Sequence, residues 1–280
     1  MKHIITFIVS ITLLLSFTSC KKKETKVEEP VNNETTNPTL TLLKIGETYL
    51  NGANAKAVVY STKELETGYN QIYVALYDST DGSRLSRGHF EVIPMMDMGS
   101  MQHSSPVENT EDTTTTDGYF KSGVVFTMPG DASQWSLNFA FHNHKNESMG
   151  RGSLGMAVKA STPARSKSTL IFAENNAALY LTFANPLKPA VGINDLEILL
   201  HKKISNDEYA PVDDYTIVME PTMPSMGHSS PNNVNPVLTA NGHYKGKVNF
   251  TMSGLWHINL KLYKAGVLLS DDQFFEITID

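Results

Sequence analysis

Polar and apolar residues alternate along His243 to Met252. Tyr244, Val248, Phe250 and Met252 fall on one side of the pattern, and His243, Lys245, Lys247, Asn249 and Thr251 on the other. Successive side chains of a strand point to opposite faces, so this is the period of a half-buried β-strand. The next run sets Trp256, Ile258, Leu260 and Leu262 inward and His257, Asn259 and Lys261 outward. Earlier in the chain, Ile72, Val74 and Leu76 share one face. About seven such runs can be read in each half, spaced by Gly, Pro, Asn and Asp turns. No segment carries a helical period.

The pattern repeats. "GYNQIYVAL" (Gly68 to Leu76) aligns with "GINDLEILL" (Gly192 to Leu200), and "DGYFKSGVVFTMPG" (Asp117 to Gly130) with "NGHYKGKVNFTMSG" (Asn241 to Gly254). Both matches have the same spacing, and Trp135 and Trp256 follow in the same order. Features recurring in one order mark an internal duplication. The copies are expected at residues 39–160 and 165–280, with "ASTPARSKS" (Ala160 to Ser168) as the linker. Short alternating strands in a copy of this size predict an immunoglobulin-like β-sandwich. The expected fold is therefore all-β, with two tandem sandwiches.

The N-terminus is different. Lys2 and His3 precede an apolar run, Ile4 to Leu15, too short to cross a bilayer, which needs about 20 apolar residues. It reads as the core of a signal peptide. The run ends in "SFTSC" at Cys20. This resembles a bacterial lipoprotein signal, which implies that residues 1–20 are a signal peptide and that Cys20 carries the lipid. The other reading is a secreted protein with a spare thiol. Residues 21–38, "KKKETKVEEPVNNETTNP", have almost nothing to bury and read as a disordered tether, reaching roughly 20–25 Å. The expected location is the bacterial envelope, on the periplasmic or outer-membrane side, tethered to a membrane.

Composition removes several chemistries. Cys20 is the one cysteine of the chain. As an anchor it leaves no thiolate for a disulfide, a cysteine zinc site, a nucleophile or a blue-copper centre. A formal net charge of −6 argues against nucleic acid or an anionic membrane surface as partner. No GxSxG or HExxH motif and no paired carboxylates stand out, so no enzyme activity is expected. "GRGSLG" (Gly150 to Gly155) has the spacing of a dinucleotide fingerprint but lacks the strand before and helix after it. It reads as a Gly-rich turn.

The candidate chemistry lies in two loops. "MEPTMPSMGHSSP" (Met219 to Pro231) gathers Met223, Met226 and His228 around Pro224 and Gly227. "IPMMDMGSMQHSSP" (Ile93 to Pro106) offers Met95, Met98, Met101 and His103. Thioether and imidazole suit Cu(I), and outside the cytoplasm thiolates oxidise readily, whereas thioethers coordinate without a deprotonation step. Pro224 and Gly227 break a straight strand, so the three donors of the second loop can converge. The competing reading is that these methionines fill gaps in the core or at an interface. Met128 and Met252 recur in both halves and fall on the core face. Trp135 and Trp256 read as core anchors, although an indole over Cu(I) would be a cation–π contact. His142 and His144 share an outward face at a strand end. A His-x-His pair can bind a metal, and can equally be solvated.

"MPSMGH" (Met223 to His228), then Asn241-Gly242-His243-Tyr244 through Met252, Gly254 and Trp256, resembles the YtkA-like domain, related in pattern to the FixH/CcoH proteins of cytochrome oxidase assembly. The likeness covers most of residues 192 to 263. In the first half "MMDMGSMQH" departs from it, with no proline and two extra residues before His103. The resemblance implies a small extracytoplasmic β-sandwich that handles metal, chiefly copper. Two functions follow as expectations. One is a copper-binding lipoprotein that buffers Cu(I) or passes it to a copper-accepting partner. The other is a non-metal interaction module that holds another envelope protein.

Overall fold

The computed structural model of the protein describes residues 41–115, 117–171 and 177–280. The expected signal peptide, Cys20 and the tether lie outside the described residues. The first half contributes β1 (Leu43–Leu50), β2 (Ala55–Ser61), β3 (Gly68–Asp78), β4 (Arg84–Leu85), β5 (Gly88–Asp97), β6 (Gln102–Ser104), β7 (Val107–Asn109), β8 (Phe120–Phe126), β9 (Trp135–Asn143) and β10 (Ser148–Gly155). The second contributes β11 (Ser166–Ile171), β12 (Ala177–Asn185), β13 (Gly192–Lys203), β14 (Tyr209–Pro211), β15 (Tyr215–Met223), β16 (His228–Ser229), β17 (Val234–Ala240), β18 (His243–Phe250), β19 (Gly254–Lys264) and β20 (Val267–Ile279).

Each half is a pair of antiparallel sheets. One runs β1-β2-β3-β8-β7, with β4 also on β3, and the other runs β10-β9-β5-β6. The second half runs β11-β12-β13-β18-β17, with β14 on β13, and β16-β15-β19-β20. Adding ten to each strand number of the first half gives the second. The protein is thus all-β, two tandem immunoglobulin-like sandwiches of one topology. Among the described residues each half has ten strands where about seven were expected; several, such as β4, β6 and β16, have two or three residues, too few to show an alternation.

The alternation placed the cores. Trp256, Ile258, Leu260 and Leu262 meet Phe250 and Tyr244 in one cluster, and Ile72, Val74 and Leu76 meet Phe126 and Trp135 in the other. Met252 departs from the expected core face. β18 ends at Phe250, so its alternation no longer governs Met252, which is exposed. Gly150 to Gly155 is not a turn but part of β10. A Cβ on Gly150 would lie 2.4 Å from Ala53 N, and one on Gly152 2.5 Å from Tyr49 O. Those glycines let the end of β1 lie against the strand, the close approach that strand glycines allow.

The two sandwiches touch. The segment expected as a linker is pinned: Thr67 Oγ1 and Ser161 Oγ are 2.8 Å apart, and Arg165 N donates to Ser161 Oγ at 3.0 Å. The buried Arg165 guanidinium donates to the Pro186 and Leu187 carbonyls and stacks 5.1 Å over Phe183. Val125 and Tyr69 of the first half pack on Ala184 and Leu199 of the second. Beside them His243 bridges Glu108 Oε1 at 2.6 Å and Glu197 Oε1 at 2.8 Å. Burial works against a charged His243, but the two carboxylates win and hold it up at about 9. The bond from His243, stronger than the cost of burial, holds Glu197 down at about 2. Nearby His201 is fully buried and is pushed down to about 4 by that burial.

Candidate functional site

Both Met/His loops are tips of β-hairpins. In the second half β15 pairs with β16, and Met223 stands directly opposite His228. The amides of Met226 and Gly227 both donate to Met223 O, at 3.1 and 2.9 Å, closing the tip. In the first half β5 pairs with β6, and there Met96 stands opposite His103. Residues directly opposite have Cβ atoms about 4.5–5.5 Å apart, so each hairpin sets one methionine beside one histidine.

A tryptophan closes each pair from the neighbouring strand. His103 meets Trp135 edge to face at 6.1 Å, and His228 meets Trp256 the same way at 5.8 Å. Each indole N–H donates to a methionine carbonyl, Trp135 to Met128 at 3.1 Å and Trp256 to Met252 at 3.0 Å. The Met, His and Trp positions match strand for strand across the duplication. That two copies keep one arrangement at their hairpin tips is the most specific feature of the molecule.

The expected donors divide. Met223 is 2% exposed in the core cluster, its Cε 3.0 Å from where a Cβ on Gly254 would stand. Met226 is 59% exposed at the tip, and Met98 and Met101 are 47% and 50% exposed on the longer first tip. His228 is half-buried. Met95 pairs with Ser104, one step along the ladder, so it faces away from His103. Met96 holds the place of Met223 instead. The run Phe90, Val92, Pro94, Met96 carried that signal, because it continues the period of 2 to the core face.

His103 is 7% exposed. Its Nδ1 lies 2.8 Å from Ser104 O. A carbonyl only accepts, so Nδ1 carries the proton and Nε2 presents a lone pair. Among the described residues that buried Nε2 has no hydrogen-bond partner. An unsatisfied buried polar atom costs about 1–3 kcal/mol, and an imidazole with its other nitrogen held by a carbonyl is the usual state of a metal ligand. The donor set and the open lone pair fit a soft cation at this hairpin.

A second cluster sits at the far end of β5 and β9. His89 stands directly opposite His142, and His144 follows two residues on. One ring nitrogen from each lies within 4.8 Å of the others. The sequence showed His142 and His144 but not His89, since only the register of β5 on β9 brings it to them. His89 and His142 line a surface groove of about 610 Å³, with Glu91, Glu111 and Arg151.

Residues 178–261, from β12 into β19, match the YtkA-like family model. The second sandwich is thus a YtkA-like domain, and the first repeats its topology. No curated protein matches the chain. Among solved structures, FdeC, an Escherichia coli adhesin, is 15% identical, with 83% of this chain and 66% of that one covered and a TM-score of 0.27. Domains 5–6 of the S-layer protein SbsC are 13% identical, covering 85% of this chain and 97% of that one, with a TM-score of 0.30. Invasin, a bacterial integrin-binding protein, is 14% identical, covering 86% of this chain and 39% of that one, with a TM-score of 0.27.

Proposed function

We propose that the protein is a non-catalytic envelope lipoprotein that carries Cu(I) as cargo at its two hairpin tips, for buffering or for delivery to a copper-accepting partner. One observation carries the reading: a Met–His pair against a tryptophan stands at the same place in both sandwiches. Met223 with His228, and Met96 with His103, would form the inner part of each site. Met226, and Met98 or Met101, would supply the outer thioether. The inner donors, buried except for the half-buried His228, would hold the ion, and the exposed outer donors are where a partner would reach it. Thioether and imidazole are ligands suited to Cu(I), and neither requires a deprotonated thiol. Cys20 would hold the protein to a membrane through lipid, and residues 21–38 would set the sandwiches off its surface.

The test is competition with a Cu(I) chelator under anaerobic conditions, using wild type, Met223→Leu/Met226→Leu and Met96→Leu/His103→Gln. Leu keeps the volume and apolarity of Met, so an interaction module would tolerate it. Each double variant is expected to lose one of two ions, with affinity at that hairpin falling well beyond tenfold, about 1.4 kcal/mol. Equal Cu(I) retention by all three proteins would remove the hairpins from the account and leave the interaction module ahead. The anchor has its own check. Cys20→Ser is expected to move the protein from the membrane fraction to the soluble one, because each buried lipid CH₂ contributes about 0.8 kcal/mol.

A further inference from the structure

The three histidines at the far end of the first sandwich differ from the hairpins in chemistry. They offer nitrogen donors and no thioether in the triad itself. We propose that His89, His142 and His144 bind one borderline divalent cation, Cu(II) or Zn(II), at a site present in the first sandwich alone. The proposal goes beyond the Cu(I) reading and does not rest on it.

The backbone holds two of the three rings in place. His89 and His142 are a cross-strand pair in the unbroken β5–β9 ladder. Their rings stack at 6.0 Å with an interplanar angle of 13°, and His144 sets its edge against both at 5.0 Å. The turn carrying His144 is tied down on both sides. Asn143 is fully buried, donates to Ala53 O at 3.0 Å and accepts from Lys145 N at 2.9 Å. The Lys145 ammonium, next to His144 in sequence, is engaged by Asp78 at 2.7 Å and Asp81 at 2.9 Å, and Arg151 lines the same groove. Glu147 sets a carboxylate 3.2 Å from His142 Nε2, the kind of neighbour that orients a ligating imidazole.

The distances suit an ion. Tetrahedral Zn–N bonds of about 2.0–2.1 Å put ligand nitrogens roughly 3.3 Å apart. Ligand atoms within 4.8 Å of one another need to close by about 1.5 Å, which rotation of half-exposed side chains at a strand end provides. Three imidazoles with an open position suit Zn(II) and Cu(II), and the Irving–Williams order favours Cu(II).

The duplication supplies an internal control. The β15–β19 ladder has the same register as β5–β9, and it places Thr216 opposite Tyr263 where the first half has His89 opposite His142. The turn after β19 is Ala265-Gly266, shorter than the His144–Glu147 turn after β9. The second sandwich thus keeps the Met–His–Trp arrangement and lacks the triad. A feature of general use to the fold would be expected in both copies.

The experiment is calorimetric titration of the full metal-free chain with Zn(II), and Cu(II) electron paramagnetic resonance. Expected is one ion per chain, with nitrogen couplings in the Cu(II) spectrum. Single substitutions of His89 or His144 by Ala should weaken binding at least tenfold, and His89→Ala/His142→Ala/His144→Ala should abolish it. The unliganded Tm should barely move, because the rings are not core; His→Gln variants replace any Ala variant that fails to fold. Met223→Leu/Met226→Leu should leave this binding unchanged, which separates its failure from failure of the Cu(I) reading. No saturable binding, or equal binding by the triple variant, overturns the proposal.

Discussion

The proton on His103 is fixed by one contact. With Nδ1–H on the Ser104 carbonyl and the ring edge to face with Trp135, Nε2 has no hydrogen-bond partner among the described residues. The two tryptophans of the chain each stand against one Met–His pair, so indole emission should report each hairpin separately. Trp256→Phe leaves Trp135 as reporter of the first hairpin, and Trp135→Phe leaves Trp256 for the second. Each variant is expected to lose roughly 1–3 kcal/mol through the missing N–H bond and lost volume. Each should nevertheless show an emission change on adding Cu(I). A Trp135 emission that stays constant while Trp256 responds would mean that only the YtkA-like half binds. At this scale the ladder sets Met96, a residue that the loop spacing passed over, opposite His103. Of two consecutive methionines, spacing by loop pointed to Met95, whereas the strand period pointed to Met96. Because β5 runs on to Asp97, strand register and not loop spacing decides which methionine stands opposite His103.

At the scale of elements, the legible part was the alternation and the illegible part was the register. Period 2 assigns a residue to a face without saying what lies across the ladder. His89 is fifty-odd residues from His142 in sequence, and only the β5–β9 register joins them. The strand ends were equally hidden. Met252 continued the pattern of β18 two residues beyond its last ladder position, and the face it was given no longer existed there. The Gly150–Gly155 stretch failed for another reason. Glycine usually punctuates turns, but here it thins a strand so that β1 can approach, a demand set by a partner some hundred residues away. The β15–β16 hairpin, in contrast, was marked by Pro224 and Gly227, whose backbone preferences act locally.

At the scale of the whole molecule, duplication was plain in the sequence and the contact between the copies was not. His243 read as a polar residue on the outer face of β18. It does leave the core of its own sandwich, but it lands against Glu108 of the other. Charge–charge contacts between copies carry no periodic signal, so nothing local announced it. The contact sets a pH dependence whose sign can be worked out. His243 is raised from 6.5 to about 9, so its contribution is complete below pH 6.5 and is lost as pH rises through 9. His201 is lowered from 6.5 to about 4, so folding is penalised as pH falls from 6.5 toward 4. Glu197, lowered from 4.5 to about 2, adds its loss below 4.5. The three together make the contact strongest around pH 6.5. His243 stays partly exposed and shares two carboxylates, so the alkaline loss is on the order of 1–2 kcal/mol, a few degrees in Tm for a chain of this size. Glu108→Gln removes the partner that the first sandwich contributes. Its Tm should be lower than wild type at pH 6.5 and converge on it by pH 9.5, as wild-type His243 loses its proton. Thermal melts of both proteins across that range decide the matter. Two parallel curves would show that the Glu108–His243 bridge does not hold the sandwiches together.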